Sequence, residues 1–195
     1  CELESDERGE RTMAFTHLHV HTEFSLLDGS NKIKEYVSRV KELGMNSAAI
    51  TDHGVMYGVI DFYRAAKNAG IKPILGCEVY VAGGSRFDKT PGATEDRYYH
   101  LVLLAENQKG YENLTKIVSK GFVEGYYYKP RVDMELLEEY HEGIIALSAC
   151  LAGEVQKNIL RGMYSEGKAA ALRYEKIFGK GNFFPELQDH GMSEQ

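Results

Sequence analysis

Between Thr16 and Thr22 the chain reads Thr-His-Leu-His-Val-His-Thr, with imidazoles at His17, His19 and His21, every second position. Alternate residues of an extended strand project from one face, so this spacing predicts three histidines on one side. Leu18 and Val20 would fall on the other side, where an apolar layer could hold the strand. Crowded imidazoles make a poor core but a good grip for a borderline dication such as zinc, manganese or iron. The bland alternative is a polar strand edge. The chain also offers Asp52-His53, Cys77-Glu78, His100 and Cys150 at or near other strand-like segments. A metal site gathered from several strand ends is therefore the first expectation.

Strand and helix signals alternate along the rest of the sequence. Strands are predicted at 15–21, 47–50, 73–81, 98–105, 144–148 and 183–188, with helices at 31–43, 59–69, 111–120, 133–140, 154–160 and 166–178. In the first helix Ile33, Val37, Val40 and Leu43 recur at helical spacing, Ser30 is the predicted N-cap and Gly44 the stop. Such alternation implies βαβ units and a mostly parallel sheet, an α/β barrel or an arc of one. Working residues in these folds collect at strand carboxyl ends, where His21, His53 and Cys150 fall. The polar run 83–97 is predicted to be a mobile loop. Tyr126–Tyr128 reads more readily as loop packing than as a stacking platform for bases.

A length of 195 residues suits one domain, and 43% hydrophobic content supports a packed interior. No apolar run approaches the roughly 18 residues of a membrane span, so no membrane partner is expected. Residues 1–14 are charged, lack the apolar stretch of a secretory signal and read as an extension or as chain cut from something longer, Met13 standing just before the first strand. Three widely spaced cysteines, Cys1, Cys77 and Cys150, fit a reducing cytoplasm better than a disulfide framework. A net charge of −6 argues against a stand-alone duplex binder. Any nucleic acid would have to be held by other parts or by metals.

Taken singly, the candidates differ in strength. His19 and His21 share a face and can reach one ion, while His17 could join them or orient a neighbour. Asp52-His53 before Gly54 is a common turn sequence in which Asp caps a helix, and only one of the pair need touch metal. Glu78 lies in the apolar run Pro73–Val81, where an unpaired buried carboxylate is costly; the alternative is an outward position on an amphipathic strand. Cys77 points the other way and reads as core. His100 is as readily a hydrogen-bonded core histidine as a ligand, and Cys150 is a soft ligand or plain packing. His141 reads as a solvated helix end, and His190, near another strand end, is a second-tier candidate. Nucleophilic chemistry from Ser148-Ala149-Cys150 lacks a Gly-x-Ser-x-Gly elbow, and no Gly-rich phosphate loop is present.

Taken in order, His17-Leu-His-Val-His-Thr22, Thr51-Asp-His-Gly54, Gly76-Cys-Glu78, His100 and Ser148-Ala-Cys150 resemble the polymerase-and-histidinol-phosphatase (PHP) superfamily. Phe24-Ser-Leu-Leu-Asp-Gly29, Lys72-Pro-Ile-Leu-Gly76, Lys129-Pro-Arg-Val-Asp133 and Ile145-Ala-Leu-Ser-Ala-Cys150 are similar to its branch at the amino terminus of bacterial replicative DNA polymerase III alpha subunits. The resemblance runs over 15–195. It implies a distorted (β/α)7 barrel, truncated here on its C-terminal side, with the last metal motif, Asp-x-His, beyond Gln195. The implied metal ligands are His19, His21, Asp28, His53, Glu78, His100 and Cys150; His17 and Asp52 stay orienting candidates, and His190 a second-tier one, on the reading of the residues alone. Asp28 enters only through the resemblance; alone it reads as a turn residue. The implied cofactor is a cluster of two or three divalent ions (zinc, manganese or iron).

The implied activity is phosphodiester hydrolysis, a 3′–5′ proofreading exonuclease within a DNA-directed DNA polymerase of the bacterial cytoplasm. Implied partners are the rest of the polymerase chain, single-stranded or primer-template DNA and other replisome subunits. The alternative is a catalytically silent module that stabilises the polymerase and docks a separate proofreading subunit. A free-standing small-molecule phosphatase fits the polymerase-type segments poorly.

Overall fold

The apolar run Pro73–Val81, broken only by Gly76 and the acid Glu78, forms the strand that is the axis on which the other elements are hung. In the computed structural model, which describes residues 4–5, 11–12, 15–90, 98–189 and 191, the elements run β1 (Glu4–Ser5), β2 (Arg11–Thr12), α1 (Ile33–Glu42), β3 (Ser47–Ile50), α2 (Val59–Ala69), β4 (Lys72–Val81) and β5 (Tyr99–Ala105). They continue as α3 (Gln108–Val123), β6 (Tyr126–Tyr127), β7 (Lys129–Val132), α4 (Met134–Glu139), β8 (Ile144–Leu147), α5 (Glu154–Leu160), α6 (Tyr164–Phe178) and β9 (Phe183–Phe184). β1 and β2 pair with each other, and the remaining residues of the predicted extension 1–14 lie outside the described ones.

The main sheet has the order β6-β7-β4-β5-β8-β9, with β3 on the first half of β4. β3 and β7 run parallel to β4, but β5 is antiparallel to both β4 and β8. The sheet is thus mixed, which corrects the expectation of a mostly parallel one. The β3–α2–β4 unit has the crossover helix that parallel pairing needs, whereas the chain turns back from Val81 to its register partner Tyr99. Among the described residues no ladder joins β9 back to β3.

Segment 15–21 lies beside β3 without forming the predicted strand. Ala49 N–H donates to the His17 carbonyl at 3.2 Å and Thr51 N–H to that of Val20 at 2.8 Å. The Val20 N–H is taken by the Thr51 side-chain oxygen at 2.7 Å, so a side chain replaces the main-chain acceptor a ladder requires. No apolar layer backs it either: Leu18 is exposed and Val20 half-buried.

Helix α1 begins at Ile33 rather than Asn31, and Ser30 does not cap it. Asn31 is engaged elsewhere, donating from its amide to the His21 carbonyl at 2.8 Å and accepting from Glu23 N–H at 3.0 Å. Asn107 caps α3 by accepting from Gly110 N–H, which starts that helix earlier than predicted. The Tyr-rich segment is a small hairpin of β6 and β7 turning at Tyr128, whose φ is 59°. β9 stops at Phe184 because the next N–H that faces β8, that of Glu186, is taken by the Ser148 side-chain oxygen at 2.8 Å rather than by a main-chain carbonyl, so most of the predicted strand 183–188 leaves the sheet. The loop 83–90 is pinned by Arg86, buried against Asp133 at 2.8 Å and Glu124 at 2.7 Å; residues 91–97 lie outside the described ones.

Alternation along β4 sorts its two faces. Cys77, Val79 and Val81 pack with Leu114, Ile117, Leu136, Tyr174 and Phe178 of the covering helices. Ile33, Val37, Phe62 and Ala66 of α1 and α2 cover β3 in a second cluster. Each Val, Leu, Ile or Phe side chain among them contributes about 1.5–3 kcal/mol on burial, which anchors the strands whose other face carries the polar groups. On that inner face, Val102, Leu104, Leu147, Ala49 and Ala149 form a smaller apolar floor.

Candidate metal centre

Glu78 sits mid-strand on the inner face of β4 and is fully buried. Its register partner on β5 is Val102, and Tyr80 pairs with His100. Glu78 and His100 are therefore diagonal neighbours on one face, and His100 Nδ1 lies 3.0 Å from Glu78 Oε1. Beyond β3 the chain runs on beside β4: Glu78 N–H donates to the Asp52 carbonyl at 3.1 Å and Gly54 N–H to that of Glu78 at 2.8 Å. This bridge sets His53 beside Glu78, with Nδ1 2.6 Å from Oε2. Segment 15–21 brings His19 Nε2 to 3.3 Å from Oε1 and His21 Nε2 to 3.5 Å from Oε2. Cys150, after β8, places its sulfur 3.8 Å from Oε1 and 3.6 Å from His100 Nδ1. One buried carboxylate is the hub of four imidazoles and a thiol.

Asp28 stands at the rim, its side chain half-exposed, with Oδ2 2.8 Å from His53 Nε2. The sharp turn before it depends on Gly29, where a Cβ would collide with the Thr22 carbonyl oxygen. Asp52 points away from the cluster. Its Oδ1 accepts from Thr22 N–H at 2.6 Å and Ser25 Oγ–H at 2.7 Å, and its Oδ2 from Thr22 Oγ1–H at 2.7 Å. Ser25 Oγ in turn accepts from His53 N–H at 3.1 Å. Asp52 thus ties the Asp28 turn to the His53 backbone. His17 is exposed against Phe15 and does not reach the hub, and His190 lies outside the described residues.

Glu186 is a residue at the cluster that sequence reasoning passed over. It lies 2.8 Å from His19 Nδ1 through Oε1, which also accepts from the Gln188 amide at 2.7 Å. The signal available was its place just past a strand's carboxyl end. Nothing in the sequence links it to His19, a contact spanning 167 positions.

The electrostatics of the cluster follow from the hub. Burial alone would raise the Glu78 pKa, but the close approach of His100, His19 and His53 holds it far below the usual carboxylate range. Burial opposes protonation of His19, yet Glu186 and Glu78 outweigh it and lift its pKa to about 9. His53 is raised in the same sense: Glu78 and then Asp28 overcome its burial. His21 moves down, through burial and through His53, whose ring stacks on its own at 4.0 Å. Burial and the neighbouring Glu78 push the Cys150 thiol up to about 11.

The donor chemistry fits a borderline dication. His19 Nε2, His53 Nδ1 and Glu78 Oε2 are buried without a hydrogen-bond partner. His53 Nδ1 and Glu78 Oε2 approach to 2.6 Å without hydrogen-bond alignment. Buried polar atoms left facing one another are expensive unless a shared partner binds both. Among the described residues, three groups bring their donor atoms within 4.8 Å of one another: His19-His21-Glu78, His21-Asp28-His53 and His53-Glu78-His100. Nitrogen, oxygen and sulfur donors together suit zinc, manganese or iron. The cluster opens on a cavity of about 1330 Å³, whose lining includes Leu104, Leu147, Phe184 and Leu187.

A mixed α/β sheet with imidazoles, carboxylates and a thiol converging on its inner face defines a protein built around a candidate metal centre. The PHP domain family model matches residues 17–190, and the chain belongs to that family. It is 48% identical over 183 residues to the DNA polymerase III subunit alpha of Treponema pallidum, covering 94% of this chain and 16% of that one. The same subunit of Borreliella burgdorferi is 46% identical over 181 residues, covering 93% and 16%. The chain spans about one sixth of the length of these curated relatives. A solved structure from Bifidobacterium adolescentis, described provisionally as a metal-dependent phosphoesterase, is 22% identical with a TM-score of 0.39 over 54% of this chain and 32% of its own. Among the described residues, no helix is long and apolar enough to cross a membrane.

Proposed function

We propose that this chain is the amino-terminal PHP domain, residues 15–195, of a bacterial DNA polymerase III alpha subunit, and that its inner-face site hydrolyses DNA phosphodiesters from the 3′ end. The relatives' identity supports the polymerase context. The observation that carries the chemistry is the buried Glu78 carboxylate facing unpartnered imidazole nitrogens. His19, His21, Asp28, His53, Glu78, His100 and Cys150 would hold two or three dications of the zinc, manganese or iron class. When bound, such ions lower the pKa of a water and neutralise charge on phosphoryl oxygens.

The chain's own residues supply the rest. Glu78 keeps a permanent anion at the hub, Asp28 offers an oxygen at the solvent rim, and the Asp52 network ties the Asp28 turn to His53. The adjoining cavity exceeds the roughly 300–1,000 Å³ of common ligand sites and has room for a terminal nucleotide. In this reading the sheet closes into a distorted (β/α)7 barrel with segments of the longer polypeptide, which also bring the Asp-x-His motif. The partners are then the rest of the polymerase chain, single-stranded or primer-template DNA and further replisome subunits, in the bacterial cytoplasm.

The test is metal content and 3′–5′ hydrolysis of single-stranded DNA by the full-length polypeptide, beside its His19→Ala and His53→Ala variants. Loss of metal and hydrolysis together in both variants is the expected result. Wild-type hydrolysis in both would overturn the catalytic role. Bound metal with no hydrolysis in the parent protein would favour the silent, docking module instead.

A further inference from the structure

One carboxylate outside the proposed ligand set is built toward it. Glu186 follows Pro185, where the β9 ladder ends, and its backbone is fixed there: its N–H donates to Ser148 Oγ at 2.8 Å. Ser148 Oγ also accepts from the Gln156 amide at 2.6 Å, so β8, α5 and the post-β9 loop meet at one hydroxyl. From this anchored backbone the Glu186 side chain reaches His19 Nδ1 at 2.8 Å, and Gln188 donates to the same carboxylate oxygen at 2.7 Å.

An imidazole that gives its Nδ1–H to an acceptor presents the Nε2 lone pair on the opposite edge. At His19 that edge faces Glu78 Oε1 at 3.3 Å. His21 is arranged in the same way. Its Nδ1 lies 2.9 Å from the Thr51 carbonyl, which can only accept, and its Nε2 lies 3.5 Å from Glu78 Oε2. Two histidines from one irregular segment are thus turned so that both Nε2 atoms address the two oxygens of one carboxylate. At His21 a backbone carbonyl does the turning. At His19 the turning group is a charged side chain from a loop 167 positions away.

We propose that Glu186 is a positioning residue, whose carboxylate holds His19 with Nε2 presented to a bound dication while Gln188 aligns the carboxylate. The inference rests on the reading of the hub as a metal centre. A carboxylate in this role also raises the basicity of the nitrogen opposite, and loss of such a partner typically weakens metal binding about 10–100-fold.

Zinc is the probe. The metal-stripped full-length polypeptide is titrated with zinc against a chromophoric chelator, and cobalt(II) is then substituted and its ligand-field spectrum recorded. Glu186→Leu is expected to weaken zinc binding by about 10–100-fold and to shift the cobalt bands. Glu186→Gln keeps the shape and an acceptor oxygen, so it should recover most of the affinity. Gln188→Leu should give a smaller loss in the same direction, and it carries the test should Glu186→Leu fail to fold. A merely structural role would lower the melting temperature of metal-free protein and leave the cobalt spectrum unmoved, which would overturn the proposal. So would wild-type zinc affinity in both leucine variants. A wild-type polypeptide that takes up no zinc would bring down the metal-centre reading itself.

Discussion

Replacing Asp52 with alanine removes one carboxylate that is 1% exposed and accepts three hydrogen bonds, from the Thr22 amide, the Thr22 hydroxyl and the Ser25 hydroxyl. Hydrogen bonds to a charged group contribute about 1.5–3 kcal/mol each, and the sum of three overstates the effect because water re-solvates some of the freed donors. Thr22 and Ser25 are 0% and 3% exposed, so that relief is incomplete. A destabilisation of about 3–5 kcal/mol follows, in the range reserved for breaking a buried polar network. For a domain of this size the melting temperature should fall by about 6–20 °C.

Asp52→Asn is the control. Its remaining oxygen can keep the Thr22 amide and Ser25 bonds, and the Thr22 hydroxyl can rotate to accept from the new amide. Only about 1–2 kcal/mol should be lost there. Urea denaturation of the metal-free protein measures both, and zinc titration of the same samples reads the site. Asp52→Ala should also weaken zinc binding, because Ser25 holds the His53 amide at 3.1 Å and the Asp28 turn. Wild-type stability in Asp52→Ala would refute the reasoning. Complete zinc loss in Asp52→Asn with unchanged stability would refute it too, for Asp52 would then act as a ligand.

Two further outcomes are expected. His19 has its folded pKa raised to about 9 from an ordinary 6.5, so its proton is held more tightly folded than unfolded. Its contribution to metal-free stability is full below about pH 6.5 and lost as pH rises through about 9; His53 adds in the same sense and His21 opposes it. Thermal melts from pH 6 to 10 check this, and zinc affinity should climb over the same window as the His19 proton is displaced. Asp28→Ala, at a half-exposed rim position, should change stability by less than about 0.5 kcal/mol while lowering zinc stoichiometry. Unchanged zinc content in that variant would remove Asp28 from the proposed ligands.

Several features could be read before any tertiary contact was known. His19, His21, His53 and Glu78 are chemically conspicuous where they stand: imidazoles at strand spacing, and an acid inside an apolar run. The helix periodicity of Ile33, Val37 and Val40 placed α1 to within a few residues. What local pattern missed is equally specific. The His17–His21 spacing promised a strand, but Thr51 intercepts the Val20 amide and breaks the ladder. Ser30 looked like the cap of α1, yet the chain uses Asn31 to close the histidine loop.

The residues themselves determined the donor types, the family and the strand on which the central acid lies, because these depend on side-chain chemistry and short-range periodicity. Only the tertiary structure decided that β5 runs antiparallel to β4, that Asp52 turns inward to Thr22 and Ser25, and that Glu186 reaches His19. Each of those outcomes is a pairing between distant segments. Such pairings are set by where packed strands and their connections come to rest, a quantity that no single stretch of sequence contains.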